Sequence, residues 1–101
     1  MISVHHACLN KALESPGNNA RYYNVRGEAK FYLKDYDGAL ADFNKVIRYS
    51  YGDKSERAEA YFWRGMVEIN MKQNDNGCLD FSKAGKMDFA KADELKELYC
   101  Q

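Results

Sequence analysis

The most apolar stretch of this chain, Phe62, Trp63, Met66 and Ile69, has the spacing of one helix face. Helical spacing also suits the flanking segments, because one proline and seven glycines leave few breaks in 101 residues. The pattern predicts six helices. The first covers about residues 2–14 and stops before Ser15-Pro16-Gly17-Asn18. Asn19 is placed to cap a second over about 20–33, Lys34-Asp35 makes a turn, and a third covers about 36–49. Ser55 is placed to cap a fourth over about 56–72. Gln73-Asn74-Asp75 turns the chain into a fifth over about 76–84, which Gly85 stops, and Asp88 is placed to cap a sixth over about 89–99.

The chain also repeats itself. Set against each other, residues 20–46 and 58–84 share nine identical positions at an offset of 38. They are Ala20/Ala58, Tyr23/Tyr61, Arg26/Arg64, Gly27/Gly65, Lys34/Lys72, Asp37/Asp75, Asp42/Asp80, Phe43/Phe81 and Lys45/Lys83. Two fragments extend the pattern at an offset of 34: Leu9 to Leu13 against Phe43 to Ile47, and Ala92, Leu95, Leu98 against Ala58, Tyr61, Arg64. The underlying period is therefore 34. The four extra residues of the middle link fall in the polar stretch from Ser50 to Glu56.

A 34-residue period with Tyr23-x2-Arg26-Gly27 then Ala39-x3-Phe43, and Tyr61-x2-Arg64-Gly65 then Gly77-x3-Phe81, resembles the tetratricopeptide repeat. The sequence departs from the commonest form of that signature at Arg26 and Arg64, at Lys30 and Glu68, and in the placing of Pro16. The resemblance implies an all-α fold, a right-handed solenoid of antiparallel helix hairpins forming one domain. Its parts would be a half-repeat or cap over 1–19, full repeats over 20–53 and 54–87, and a capping helix over 88–101. Small residues at Gly27 and Gly65, facing Ala39 and Gly77, would let each hairpin close tightly. Phe43 and Phe81 would fill the space between hairpins. No hairpin can bury its apolar side alone, so stacking is obligatory. The recurrence of Arg26 with Asp42, and of Arg64 with Asp80, suggests an ion pair in each hairpin, against the alternative of exposed, independent charges.

In this family the first helices of the hairpins line a groove. By that resemblance Asn24, Glu28, Phe31 and Tyr32 would line it from one hairpin, and Phe62, Met66, Ile69 and Asn70 from the next. A wall of Phe and Met suits an apolar helix or an extended peptide. One branch of the family grips a C-terminal carboxylate with Lys, Arg and Asn. Here Glu28, Phe62 and Met66 stand at the corresponding places, so that clamp is not expected, and an apolar or basic partner is.

Charge and chemistry narrow the reading. Fifteen basic and fifteen acidic residues balance to zero net charge, and no basic run offers a footprint for nucleic acid. No apolar stretch approaches the ~20 residues that span a membrane, and Met1 to Leu9 lacks the pattern of a signal peptide. Three widely spaced cysteines, Cys8, Cys78 and Cys100, argue against a disulfide framework and favour a reducing, cytoplasmic setting, with Cys78 packing as a small hydrophobe. His5 and His6 are adjacent, so on a helix they diverge by about 100° and make no zinc pair. No histidine lies near Cys78 or Cys100 in sequence to activate a thiol, and Gly27 and Gly65 are isolated within helices rather than in a phosphate loop. The expectation is a protein-binding module with no enzymatic activity, cofactor or metal. The alternative is a structural unit that self-associates, at twice its 11.7 kDa mass, or docks within a longer array.

Overall fold

The structure is a computed structural model that describes residues 19–49 and 53–100. The described residues form five helices: α1 Ala20–Tyr32, α2 Tyr36–Tyr49, α3 Lys54–Asn70, α4 Asn74–Lys86 and α5 Ala90–Tyr99. No strand occurs among the described residues. The helix expected over 2–14 lies outside them. Consecutive helices pack on one another, and α1 also touches α3, so two hairpins (α1–α2 and α3–α4) stack with α5 on the end.

Local chemistry sets the ends. Asn19 caps α1, its side chain accepting from the Tyr22 amide at 2.9 Å. For α3 the cap is Asp53 rather than the expected Ser55. Asp53 and Glu56 form a reciprocal capping box, and that pair satisfies two otherwise orphaned amides where Ser55 would satisfy one. Asp88 does not cap α5: its φ is 67°, a turn conformation, and its carboxylate pairs with Lys54 at 3.1 Å. Nor does Gly85 stop the preceding helix, which continues to Lys86. The left-handed non-glycine residues among the described residues are Lys34, Lys72 and Asp88, in the α1–α2, α3–α4 and α4–α5 turns. After each, an amide reaches back five residues: Asp35 to Lys30, Gln73 to Glu68, and Phe89 to Ala84. These bonds satisfy carbonyls that the helix ends leave open and turn the chain back sharply.

The hairpins close over glycine. A methyl group on Gly65 would lie 2.8 Å from the Phe81 ring and 3.1 Å from the Gly77 carbonyl oxygen. One on Gly77 would meet Ile69 at 2.9 Å and the Gly65 carbonyl at 3.0 Å. At Gly27 the nearest neighbour is the ring of Phe43, at 2.7 Å, rather than Ala39. The two phenylalanines therefore press on the glycine of their own hairpin, and are not simply spacers between hairpins. Phe43 also shares a buried cluster with Ala60 and Val67 of α3.

Beside each glycine lies a buried ionic fork. Arg26 reaches both oxygens of Asp42 at 3.0 and 2.7 Å, and Arg64 reaches both oxygens of Asp80 at 2.7 and 2.8 Å. The aspartates are 1% and 2% exposed, so these are not independent surface charges. Cations stack on the neighbouring rings: Lys45 lies 4.8 Å from the Tyr23 centroid and Lys83 lies 5.5 Å from that of Tyr61. The third guanidinium nitrogen differs between the forks. Arg26 donates to the Tyr22 hydroxyl at 2.9 Å on its own helix, whereas Arg64 donates to Asn44 of α2 and so ties the two hairpins together.

One position unbalances the second fork. Lys30 adds a second cation to Asp42 at 3.3 Å, but its counterpart is Glu68, which adds a second anion beside Asp80. Glu68 is mostly buried, lies 3.9 Å from Arg64, and leaves its Oε1 without a hydrogen-bond partner. Burial, and then the hydrogen bond and charge of Asp80, push its carboxyl from an ordinary 4.5 up to about 8, against the pull of Arg64 and Lys83. Between those values the folded chain holds a proton that the unfolded chain has lost.

Three outcomes are expected. Gly65→Ala will lower stability by about 2 kcal/mol in a denaturant titration, because a clash with backbone outweighs the roughly 1 kcal/mol that alanine adds to a helix. An Arg64→Ala/Asp80→Ala double-mutant cycle will give a coupling above the roughly 1 kcal/mol ceiling of an exposed pair. Stability will fall as pH rises from 4.5 to about 8, and Glu68→Gln will flatten that slope in melting curves across the range.

Candidate functional site

The face shared by α1 and α3 holds the residues expected to line a groove, and the structure divides them. Asn24 and Phe62 do not line it: they are 1% and 2% exposed. Asn24 donates to the Glu56 carbonyl at 2.9 Å, fastening α1 to the first turn of α3, and its Oδ1 is buried without a hydrogen-bond partner. Phe62 is enclosed by the rings of Trp63, Phe81 and Phe89, with centroids 5.3, 6.0 and 5.0 Å away. Both positions were expected on the wall because they neighbour packing residues. The stacked α3 and the covering α5 bury them instead.

The other six stay within reach of solvent. Phe31, Glu28, Met66 and Ile69 are half-buried, and Tyr32 and Asn70 are exposed. Ile69 has a packing task, filling the space over Gly77. Asn70 turns back to its own helix and donates to the Met66 carbonyl at 2.8 Å.

Trp63, which the groove candidates did not include, is the residue that unites the face. It is half-buried and packs against both apolar clusters. Phe31 and Tyr32 meet it edge-on across the hairpin boundary, at 5.5 and 5.9 Å. Phe31 in turn contacts Tyr36 at 5.9 Å. The result is an aromatic ledge with Tyr32, 57% exposed, at its outer edge.

Beside the ledge the charges are acidic. Burial first, then the charges of Glu28 and Glu56, raise the carboxyl of Glu59 above its ordinary range, while Arg21 pulls it down. Glu28 of α1 and Glu59 of α3 thus repel each other across the seam. A cation between them would relieve that repulsion. Glu59 and Arg21 were also missed by the sequence reading, although each follows a packing alanine.

The cysteines correct an expectation. Cys78 and Cys100 are joined in a disulfide, with Cα atoms 5.8 Å apart. Because α5 runs back along α4, its last residues lie beside the second turn of α4, so a separation of 22 residues becomes a contact. Cys8, His5 and His6 lie outside the described residues. Among the described residues no three His, Cys, Asp or Glu side chains gather as a metal site, and no helix is long and apolar enough to cross a membrane.

Comparison with known proteins agrees with this architecture. Residues 20–53 match the family described as Tetratricopeptide repeat. The chain is 30% identical over 82 residues to Tetratricopeptide repeat protein 34 of Xenopus laevis, a match covering 80% of this chain and 15% of that protein. It is 42% identical over 50 residues to Peptidyl-prolyl cis-trans isomerase FKBP4 of Bos taurus, covering 50% of this chain and 11% of that one. No solved structure gives a significant match. Two stacked hairpins with recurring glycines and forks, a family match over a whole repeat, and these relatives agree: the chain belongs to the tetratricopeptide repeat family.

Proposed function

We propose that this chain binds a segment of another protein along the α1–α3 face, and that the segment joins an apolar side chain to a basic one. Tetratricopeptide repeats are in general protein-interaction modules. The observation that carries the finer reading is the juxtaposition of the ledge of Phe31, Tyr32 and Trp63 with the opposed carboxylates of Glu28 and Glu59. An apolar side chain laid on the rings buries area that now faces water. A lysine or arginine of the same segment settles between carboxylates that are otherwise in conflict. Nucleic acid and membrane surfaces fit this acidic face poorly, and nothing in it resembles a set of catalytic groups. The name of the bovine relative describes an isomerase, but the shared 50 residues are 11% of that protein, and its activity is not assigned to this chain. The setting we propose is cytoplasmic, where a thiol pool would keep Cys78 and Cys100 largely reduced and make their bridge an occasional state.

Trp63 is the only tryptophan in the chain, so its fluorescence reports on the site directly. In a peptide panel varied in charge, basic-apolar peptides should shift its emission with micromolar midpoints. Glu28→Gln/Glu59→Gln should weaken them about tenfold and reduce their salt dependence. Tyr32→Ala should weaken basic and neutral peptides alike. Tighter binding by peptides ending in acidic residues, or a Trp63 signal that no peptide moves, would overturn the reading.

A further inference from the structure

We infer that the Cys78–Cys100 bridge is a redox-operated clasp on α5, and that α5 is a removable cover over the apolar surface around Phe62 and Phe81. The inference concerns the end of the second hairpin that α5 covers, and its test does not depend on peptide binding.

The helix α5 is lightly held along its length. Of its ten residues only Ala92 is buried and Leu95 half-buried, and the other eight are exposed. Its N-cap, Phe89, makes no side-chain capping bond. At that end the anchor is the Phe89 ring on Phe62, supported by Lys91 5.8 Å from the Phe62 centroid and by Asp93 lying over Gly85. At the other end, immediately after Tyr99, is the disulfide. The clasp therefore sits where the helix has fewest packing contacts. A helix this short does not persist by itself in water, so undocking and unwinding go together.

What lies beneath is apolar and otherwise well packed. Phe81 and Ala84 are fully buried and Phe62 nearly so, while Met66 and Ile69 flank them. The corresponding side of the first hairpin is covered by a whole second hairpin and locked by hydrogen bonds from Asn24 to Glu56 and from Arg64 to Asn44. Among the described residues, the second hairpin is covered on this side by α5.

The chemistry of opening is thiol–disulfide exchange with a dithiol. A thiolate of the dithiol attacks one sulfur of the bridge and forms a mixed disulfide, and its second thiol then displaces the remaining cysteine. Cys78 and Cys100 gain two electrons and two protons as thiols, and the dithiol leaves as its own disulfide. Loss of a cross-link that closes a loop of 22 residues raises the local opening of α5 on the order of 100-fold.

The test is amide hydrogen exchange read by mass spectrometry on the whole chain, air-oxidised and then treated with dithiothreitol. Alkylation before digestion establishes the state of each cysteine. Reduction should accelerate exchange over residues 90–99 by about 100-fold while residues 20–48 keep their protection. A Cys78→Ser/Cys100→Ser variant should exchange like the reduced protein with or without dithiothreitol. Three results would overturn the clasp: equal α5 exchange in both states, loss of protection in every helix on reduction, or free thiols at both positions in the oxidised protein.

Discussion

The closeness of the two helices within each hairpin is the constraint on which the rest of this structure depends. A missing methyl at Gly65 and at Gly77 brings backbone against backbone in the second hairpin, and Gly27 receives the Phe43 ring in the first. Only at that distance can a guanidinium on one helix take both oxygens of a carboxylate on the next. The buried aspartates would be costly without those partners, because an uncompensated charge inside a protein destabilises it by about 3–5 kcal/mol. Glycine and fork thus support each other: one sets the distance, and the other makes any other distance unfavourable.

The nine positions shared by the two repeats each answer to this geometry. Ala20, at the start of α1, and Ala58, one turn into α3, are buried. Tyr23 and Tyr61 receive the cations Lys45 and Lys83. Arg26 with Asp42, and Arg64 with Asp80, make the forks, and Gly27 with Phe43, and Gly65 with Phe81, make the close contact. Lys34 and Lys72 take the left-handed turn residue, and Asp37 and Asp75 lie in the first turn of the following helix, where a negative charge is favourable. What differs between the repeats has its own consequence. Lys30 against Glu68 makes one fork cation-rich and the other proton-dependent. Tyr22 against Ala60 sends the spare nitrogen of Arg64 to the neighbouring hairpin.

Stacking converts this repeated unit into a surface. The first helices are laid side by side by Asn24 and by Trp63, which joins the two apolar clusters. The same act that buries Asn24 and Phe62 leaves Phe31, Tyr32 and Trp63 as a ledge, with Glu28 and Glu59 drawn together at its edge. The proposed binding face and the stability of the stack are in this sense one arrangement seen from two sides.

The sequence by itself determined the helical class and the repeated hairpin, and it suggested the close approach of Gly65 to Gly77 and the pairing of Arg with Asp. Each of these is written in residue type at fixed spacing, and local spacing is what a helix preserves. Only the tertiary structure decided which groove candidates reach solvent, because burial of Asn24 and Phe62 depends on what stacks over them rather than on their own position. It also decided that Asp53 rather than Ser55 caps α3, since the choice rests on reciprocal bonding with Glu56. The bridge from Cys78 to Cys100 was hidden for the same reason. Twenty-two residues separate the two in sequence, and only the return of α5 along α4 brings their sulfurs together.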